Sequence, residues 1–299
     1  MPSLKEGEAL VHMQHLTVCG SDLLIYDRTR PEEEYPLAVG APCHECFGTV
    51  EESRVDGVKP GQRVIALSGG LVEYAAVPAR DIVPVADNVD GVIAPLCQPA
   101  GTVLYSVQQM GSILGKTAVV IGQGPIGLNF TDFLVRGGAV KVIGVDKHAY
   151  RLEASRHVGA THTIDATRED VVQTVREITD GQGTDIAVEA CGHPDAFNQI
   201  FQCLHHQGLA VVFGLQHEPG PVPLDWQAMY ERLPRMVATS SVRSGNRVNT
   251  VVAAADLVSQ GRLDLTYQVT HQLPFEQVGQ AFEMYSRKLD NSLKVVLAV

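Results

Sequence analysis

The chain has 299 residues, of which 45% are hydrophobic and 19% are charged. This composition is typical of globular proteins and the length suits about two domains, which excludes disordered, collagen-like and coiled-coil chains. Acidic residues outnumber basic ones by 34 to 23, for a formal net charge of -11. A surface of this charge repels a phosphate backbone and argues against nucleic acid as a partner.

No apolar stretch approaches the roughly 18 residues that a membrane-spanning helix needs. The chain start, MPSLKEGEAL, lacks the basic and apolar regions of a signal peptide. We therefore expect a cytoplasmic protein without a membrane partner. Its six cysteines are then expected to be reduced, as packing residues or metal ligands, and Cys191 and Cys203 are expected to be buried.

Residues 1 to about 97 alternate short strands with turns rich in Gly and Pro, which predicts a compact, mostly β domain. The predicted strands are Glu8–Val11, Gly48–Glu52, Gln62–Leu67, Leu71–Val77 and Ile82–Pro84. Near the other end, the pattern predicts helices over Arg247–Gln260 and Phe275–Arg287 and a closing strand over Leu293–Val299.

The middle of the chain, from Lys116 to about Ser241, alternates β-branched runs with helix-like segments. This pattern is typical of βαβ units and of a parallel sheet buried on both faces, so we predict a doubly wound α/β domain. The predicted strands are Thr117–Ile121, Lys141–Val145, His162–Ile164, Asp185–Ala190, Leu209–Phe213 and Met236–Thr239. The predicted helices are Pro125–Val135, Ala149–His157, Arg168–Ile178 and Pro194–Leu204.

The strongest single motif directly follows the strand TAVVI and opens a helix; it reads Gly122-Gln123-Gly124-Pro125-Ile126-Gly127. Its first glycine allows a tight turn, its second lets the backbone approach a pyrophosphate, and its third lets helix and strand pack closely. The helix N-terminus then presents free N–H groups to the anion. The motif predicts dinucleotide binding by the residues Gly122, Gly124, Pro125, Ile126 and Gly127.

The next strand ends in Asp146, nineteen positions after Gly127. An acidic side chain there accepts hydrogen bonds from ribose hydroxyls and repels the extra phosphate of NADP, so the sequence favours NAD. The basic side chains of Lys147 and Arg151 soften this repulsion, and Arg151 is a further candidate for cofactor binding. NADP, and a Rossmann-like sheet that binds no nucleotide, remain the alternatives.

Three predicted loops carry residues that bind metals: Cys19-Gly20-Ser21-Asp22, His44-Glu45 and Cys97-Gln98-Pro99. Thiols, an imidazole and a carboxylate suit Zn²⁺, and a catalytic zinc with three protein ligands keeps a fourth position for substrate or water. The spacing is too wide to be diagnostic. Buried thiols and a structural histidine are therefore the alternative interpretation.

Several motifs occur in a characteristic order: CGSD at Cys19–Asp22, HECFG at His44–Gly48, VKPGQRV at Val58–Val64, EYAAVP at Glu73–Pro78, GQGPIG, VEACG at Val188–Gly192 and PFEQVGQAFEMY near the end. With them the chain resembles the medium-chain dehydrogenase/reductase superfamily, and most of all its zinc-dependent alcohol, polyol (sorbitol) and threonine dehydrogenases. The resemblance covers nearly the whole chain. It implies a GroES-like, β-rich catalytic domain of residues 1–97 and 245–299 and a Rossmann NAD-binding domain of residues 98–244.

The resemblance also implies an activity, the NAD-dependent oxidation of a secondary alcohol such as a polyol or a similar small hydroxy compound. Zn²⁺ would act as a Lewis acid on the substrate oxygen. Cys19 and His44 would be zinc ligands, Glu45 the carboxylate beside the metal, and Ser21 the hydroxyl that carries the substrate's proton. A homodimer or homotetramer, paired through the last Rossmann strand, is the assembly that the family implies.

The third zinc ligand departs from the family pattern. The polyol branch has a glutamate where this chain has Gln98, and a neutral amide is a poor zinc ligand. Cys97 stands about where the alcohol dehydrogenase branch supplies a cysteine. We therefore predict Cys97 as the third ligand, with Glu45 as the alternative.

Other departures concern the proton relay and a second metal site. Leu24 stands where relatives often carry a relay histidine, and Cys43 replaces the glycine before His44. Cys43 and Cys46 are expected to pack in the core, since two thiols cannot complete a four-cysteine site. No cysteine lies between the VKPGQRV and EYAAVP motifs, so one catalytic zinc and no structural zinc is expected.

Two other functions stay open at this point. One is a zinc-free, NAD(P)H-dependent quinone or enone reductase of the same superfamily, which the departures at Gln98 and Cys43 would suit. The other is a non-catalytic NAD-binding protein, because a fold does not by itself imply an activity.

Overall fold

The structure is a computed structural model that describes residues 1–28, 31–216, 220–240 and 247–299. The chain divides into two compact units, Met1–Thr102 with Asn246–Val299, and Val103–Gly245. The predicted domain boundaries, after residues 97 and 244, lie beside these divisions and stay a prediction of where the domains begin and end.

The described elements separate a mostly β unit from an α/β unit. The strands are β1 (Glu8–Thr17), β2 (Glu45–Ser53), β3 (Arg63–Ala66), β4 (Tyr74–Pro78), β5 (Ile82–Pro84), β6 (Thr117–Ile121), β7 (Lys141–Asp146), β8 (His162–Asp165), β9 (Thr184–Glu189), β10 (Leu204–Val212), β11 (Arg235–Ala238), β12 (Val269–Pro274) and β13 (Lys294–Ala298). The helices are α1 (Gly20–Tyr26), α2 (Cys97–Gln108), α3 (Pro125–Arg136), α4 (Ala149–His157), α5 (Val171–Ile178), α6 (Pro194–Cys203), α7 (Trp226–Arg232), α8 (Arg247–Ser259) and α9 (Val278–Arg287).

The first unit is built on strand β1, which is antiparallel to β2, β4 and β13. The rest of this sheet follows the order β12-β13-β1-β2-β3-β5. Strand β1 runs to Thr17, six residues beyond the predicted end at Val11. Its second half contains His12, Gln14 and His15, which weaken the apolar pattern, but its neighbours supply the ladder hydrogen bonds.

The second unit is a parallel sheet with strand order β11-β10-β9-β6-β7-β8. Its central strands are apolar and fully buried, as expected for a sheet covered by helices on both faces. The order reverses between β6 and β9, where the carboxyl ends of neighbouring strands open a crevice for ligands. The predicted GroES-like domain combined with a doubly wound parallel sheet is thus confirmed as the fold class.

Some local predictions were wrong. Cys97 does not lie on a loop but begins helix α2, whereas Cys19 lies in the connection after β1 as the N-cap residue of α1. Cys203, Cys43 and Cys46 are buried as predicted, whereas Cys191 is exposed. None of the helices in the described part of the chain combines the length and apolar character that crossing a bilayer requires.

A glycine in α2 provides a test of core packing in the first unit. A methyl group at Gly101 would lie 2.6 Å from the Cα atom of Val251 in α8. We expect Gly101→Ala to destabilise the unit by about 1–3 kcal/mol through overpacking, although alanine is the better helix former by ~1 kcal/mol. Thermal unfolding followed by circular dichroism measures the change.

Gly279 in α9 is the matched control, because nothing lies within 4 Å of a methyl group placed there. Gly279→Ala should leave the unfolding temperature unchanged or raise it slightly. A Gly101→Ala protein as stable as the wild type would contradict the expected clash.

Candidate active site

A potential metal-binding group lies in the first unit. One donor atom each of Cys19, His44 and Glu45 lies within 4.8 Å of the other two. Cys19 follows the end of β1, whereas Glu45 is the first residue of β2. The antiparallel register pairs Thr17 with Glu45, and this pairing brings the two distant segments of sequence together.

The buried side chain of Asp22 contacts both Cys19 and His44. The side chain is 2% exposed, and its Oδ2 atom accepts a hydrogen bond of 2.8 Å from the backbone N–H of Cys19. Its Oδ1 atom lies 3.8 Å from Nδ1 of His44 and accepts a bond of 3.1 Å from the N–H of Cys43. Burial raises the pKa of the Asp22 carboxyl, and the nearby His44 partly offsets this increase.

His44 lies beside the Cys19 sulfur and the Asp22 carboxyl. Burial lowers the pKa of its imidazole, but the hydrogen bond and charge of the Cys19 sulfur raise it by more, to about 9. The ring is therefore attracted to the sulfur next to it. A divalent cation placed between them would compete with this proton for the same donor atoms.

Glu45 is completely buried. Its Oε2 atom accepts hydrogen bonds from Nζ of Lys294 and from the hydroxyl of Thr17. Its Oε1 atom is buried and has no hydrogen-bond partner among the described residues. Sequence reasoning missed Lys294 and Thr17, since neither belongs to a recognised motif.

The donor set fits a zinc ion. Bonds of about 2.0–2.3 Å to a tetrahedral zinc place its ligand atoms about 3.3–3.7 Å apart, and the three donor atoms here, within 4.8 Å of one another, are near this spacing. An unpartnered, buried carboxylate oxygen is costly unless a cation or a donor satisfies it. The residues Cys19, His44 and Glu45 therefore suit one zinc with an open fourth position.

Cys97, the predicted third ligand, is not part of this group. It is fully buried at the start of α2, and burial raises the pKa of its thiol to about 12. The neighbouring Gln98 amide donates to the hydroxyl of Thr102 at 3.3 Å. The geometry thus reverses the preference that the sequence suggested and favours Glu45 as the third donor.

Two other residues singled out in the sequence, Ser21 and Cys43, lie beside members of this group in the chain. The Ser21 hydroxyl is buried and has no hydrogen-bond partner in the described part of the chain. Cys43 is buried with a φ angle of +74°, in the region that favours glycine. The glycine that relatives have before the histidine would be unstrained at this backbone position.

The predicted nucleotide loop lies in the second unit, at the point where the strand order reverses. Gly122 has a φ angle of +96°, and a Cβ atom there would lie 2.9 Å from Cβ of Cys191, in the loop after β9. A Cβ atom at Gly127 would collide with the carbonyl oxygen of Gly122. Both positions therefore require glycine, and α3 begins directly after Gly124.

Asp146 ends strand β7 beside this loop. Its carboxylate accepts hydrogen bonds from the backbone N–H groups of Gln123, Lys147 and His148 at 2.7–2.9 Å. Nη1 of Arg151 lies 3.7 Å from the carboxylate and 3.6 Å from the position of a Cβ atom at Gly124. The predicted loop residues, Asp146 and Arg151 therefore lie next to one another.

Glu189 is a residue of this region that sequence reasoning did not single out. It is 2% exposed at the end of β9 and accepts hydrogen bonds from the N–H groups of Cys191 and Gly192 at 2.7 and 2.6 Å. It therefore fixes the loop that faces Gly122. The VEACG motif that contains it was the available signal.

Comparison with known families covers most of the chain. Residues 125–259 match the family described as zinc-binding dehydrogenase, and residues 5–87 match the alcohol dehydrogenase GroES-like domain. The chain is 28% identical over 315 residues to the L-threonine 3-dehydrogenase of Bacillus velezensis, covering 95% of this chain and 90% of the relative. It is 25% identical over 332 residues to that of Anaeromyxobacter dehalogenans, covering 99% and 92%.

Solved structures share the fold over the whole chain. The alcohol dehydrogenase TADH from Thermus sp. ATN1 superposes with a TM-score of 0.84 at 24% identity, covering 100% of this chain and 94% of the other. A protein from Sinorhizobium meliloti, described as a zinc-binding dehydrogenase and bound to NADP, superposes with a TM-score of 0.87 at 21% identity and the same coverage. The two domain matches and these relatives together identify the chain as a zinc alcohol/polyol dehydrogenase-like protein of the medium-chain dehydrogenase/reductase superfamily and as an alcohol-type oxidoreductase.

Proposed function

We propose that this protein catalyses the reversible oxidation of a small secondary alcohol, a polyol or a similar hydroxy compound, with NAD and one catalytic zinc. The observation that carries the proposal is the group of Cys19, His44 and Glu45, whose donor atoms lie within 4.8 Å of one another. A thiolate, an imidazole and a carboxylate are the donors of a zinc that keeps one position for substrate. When bound, zinc would supply a Lewis acid for the alcohol oxygen, and the nicotinamide cofactor would supply a hydride acceptor.

Ser21 is the proposed acceptor of the proton that the alcohol loses. Its buried hydroxyl lies two residues after Cys19 and is unpartnered within the described ranges. An unsatisfied buried hydroxyl costs about 1–3 kcal/mol, so a substrate hydroxyl that bonds to it removes this cost and is oriented by it. Because Leu24 offers no polar group, the proton leaves Ser21 through cofactor hydroxyls or water.

The substrate class rests on the relatives. Several are L-threonine 3-dehydrogenases, and the hydroxyl at carbon 3 of threonine is a secondary alcohol. This supports a secondary rather than a primary alcohol as the substrate of the present chain.

A single zinc is proposed because no other group of three His, Cys, Asp or Glu donors occurs in the described residues.

NAD is the proposed cofactor because of the charge at Asp146. The carboxylate is 8% exposed and is held by three backbone N–H groups, so it cannot turn away from a phosphate beside it. The opposing charge is Arg151, whose Nη1 atom lies 3.7 Å from the carboxylate.

We propose that the two units act as the GroES-like catalytic domain and the NAD-binding domain, with boundaries near residues 97 and 244.

A homodimer through the edge of β11 is the proposed assembly. Strand β11 is the last strand of its sheet, and an unpaired edge is a site for pairing with a second copy. Large apolar side chains of β11, of α7 and of the turn between them are about half to two-thirds exposed, namely Trp226, Tyr230, Leu233 and Met236. Exposed apolar side chains on and before an edge strand favour burial against an identical surface.

The zinc assignment predicts different effects for two cysteine variants. Cys19→Ala should lose both the metal and the NAD-dependent oxidation of a panel of secondary alcohols, because it removes a thiolate ligand. Cys97→Ala should retain about one zinc per chain. Elemental analysis of the dialysed proteins, with circular dichroism to check folding, measures both outcomes.

An active, zinc-free Cys19→Ala protein would overturn the zinc mechanism. Loss of zinc from a folded Cys97→Ala protein would assign the third ligand to Cys97 instead of Glu45. A folded wild-type protein that binds NAD but no zinc would favour the zinc-free reductase.

The cofactor assignment predicts that wild-type protein binds NADH more tightly than NADPH. Asp146→Asn should reduce this preference by about tenfold or more, because it removes a charge close to the 2′-phosphate. Asp180→Asn is the matched control and should keep the wild-type ratio, because its side chain is 90% exposed and lies 4.0 Å from Lys141, at the opposite end of β7 from Asp146. Fluorescence titration gives both affinities; tighter NADPH binding by the wild type would contradict the assignment.

The proposed dimer predicts that Met236→Asp weakens self-association. A carboxylate buried in the interface costs about 3 kcal/mol or more, which is at least a hundredfold in the dimer dissociation constant. Leu114→Asp, at another exposed apolar position, should leave the dimer intact. Sedimentation velocity measures the distribution, and a monomeric wild type or an unaffected Met236→Asp dimer would refute the β11 interface.

A further inference from the structure

Three residues from distant parts of the chain form a buried polar group beside the proposed zinc site. Lys294 is 1% exposed, and its Nζ atom donates to Oε2 of Glu45 at 2.5 Å. The same ammonium donates to the carbonyl oxygen of Val18 at 3.2 Å. Thr17 is fully buried, and its hydroxyl donates to the same carboxylate oxygen of Glu45.

The two donors act on one oxygen and leave the other unused. Oε1 of Glu45 is buried and has no hydrogen-bond partner among the described residues. Rotation of the carboxylate would exchange the two oxygens, but it would break both the Lys294 and the Thr17 contacts. The side chain is therefore held in one orientation, with a specific oxygen free.

Glu45 belongs to the group of donors already described. Glu45 contributes one carboxylate oxygen within 4.8 Å of the donor atoms of Cys19 and His44. Since Oε2 is engaged by Thr17 and Lys294, Oε1 is the atom with lone pairs available to a cation. We propose that Thr17 and Lys294 are positioning residues that present Oε1 of Glu45 as the third protein ligand of the catalytic zinc.

The proposal rests on the proposed function and explains how the site works with Cys97 outside it. The sheet supplies the rigidity, because Thr17 ends β1, Glu45 begins β2 and Lys294 begins β13. The Lys294 ammonium also adds a positive charge beside the Glu45 carboxylate, which favours a negatively charged substrate oxygen. Partners that orient a ligating carboxylate are usually worth 10- to 100-fold in metal affinity.

A simpler role for this group is purely structural. A buried ion pair whose partner is removed destabilises a protein, whatever lies next to it. A structural role predicts lower stability with an unchanged metal site. A positioning role predicts a change in the geometry and affinity of the metal site in protein that is still folded.

Cobalt substitution separates the two roles without depending on activity. The metal-free full chain is titrated with Co²⁺, whose ligand-field absorption reports the number and geometry of the ligands. The variants Thr17→Val and Lys294→Met remove one donor each at similar volume, and Glu45→Gln weakens the ligand itself. Thr17→Ser restores the hydroxyl, and Thr49→Val in β2 is a control away from Glu45, since its hydroxyl faces Gln14.

We expect Thr17→Val and Lys294→Met to shift the Co²⁺ spectrum and to weaken metal binding by about 10- to 100-fold. Thr17→Ser and Thr49→Val should resemble the wild type. If Lys294→Met does not fold, Thr17→Val alone carries the test, because it removes no charge.

Two negative results have different meanings. A wild-type protein that binds no Co²⁺ would overturn the zinc site, and with it both the proposed function and this inference. A wild type that binds one Co²⁺ with a spectrum unchanged by Thr17→Val and Lys294→Met would overturn the positioning role only. An unchanged spectrum in Glu45→Gln would also overturn it, since Oε1 would then not be a ligand.

Discussion

The buried carboxylate of Glu45 is the constraint on which the arrangement of the first unit depends. A carboxylate withdrawn from water costs several kcal/mol unless polar and charged partners replace its hydration. Those partners, Thr17 and Lys294, lie 28 and 249 residues away in sequence. Strands β1, β2 and β13 must therefore be neighbours, which joins the two ends of the chain in one unit and places Glu45 beside Cys19 and His44.

The second unit meets a different requirement, the binding of phosphate and ribose by a protein surface that is acidic overall. It relies on the backbone more than on side chains. Glycine at positions 122 and 127 allows a turn that any Cβ atom would block, and backbone N–H groups hold the carboxylate of Asp146. Arg151 supplies a local positive charge in a chain whose formal net charge is -11.

The parts of the fold that the sequence predicted are those whose signals are local. The strands β6 to β8 are short apolar runs bounded by turns, and α4 matches its predicted bounds because its pattern is uninterrupted. Helix α2 was missed because CQPAGTVLYSVQ contains proline, glycine and β-branched residues, which are poor helix formers. Its packing against Val251 in α8, which the close approach at Gly101 requires, overrides this propensity.

The sequence by itself determined the family, the two-part architecture, the nucleotide loop and the zinc candidates Cys19 and His44, since each belongs to a motif readable from neighbouring residues. Only the tertiary structure placed Glu45 beside Cys19 and His44, with Cys97 outside the group, and brought Thr17 and Lys294 to the same oxygen. No periodicity or spacing links positions 17, 45 and 294. Their contact follows from strand register, which depends on the hydrogen bonding and burial of the whole sheet.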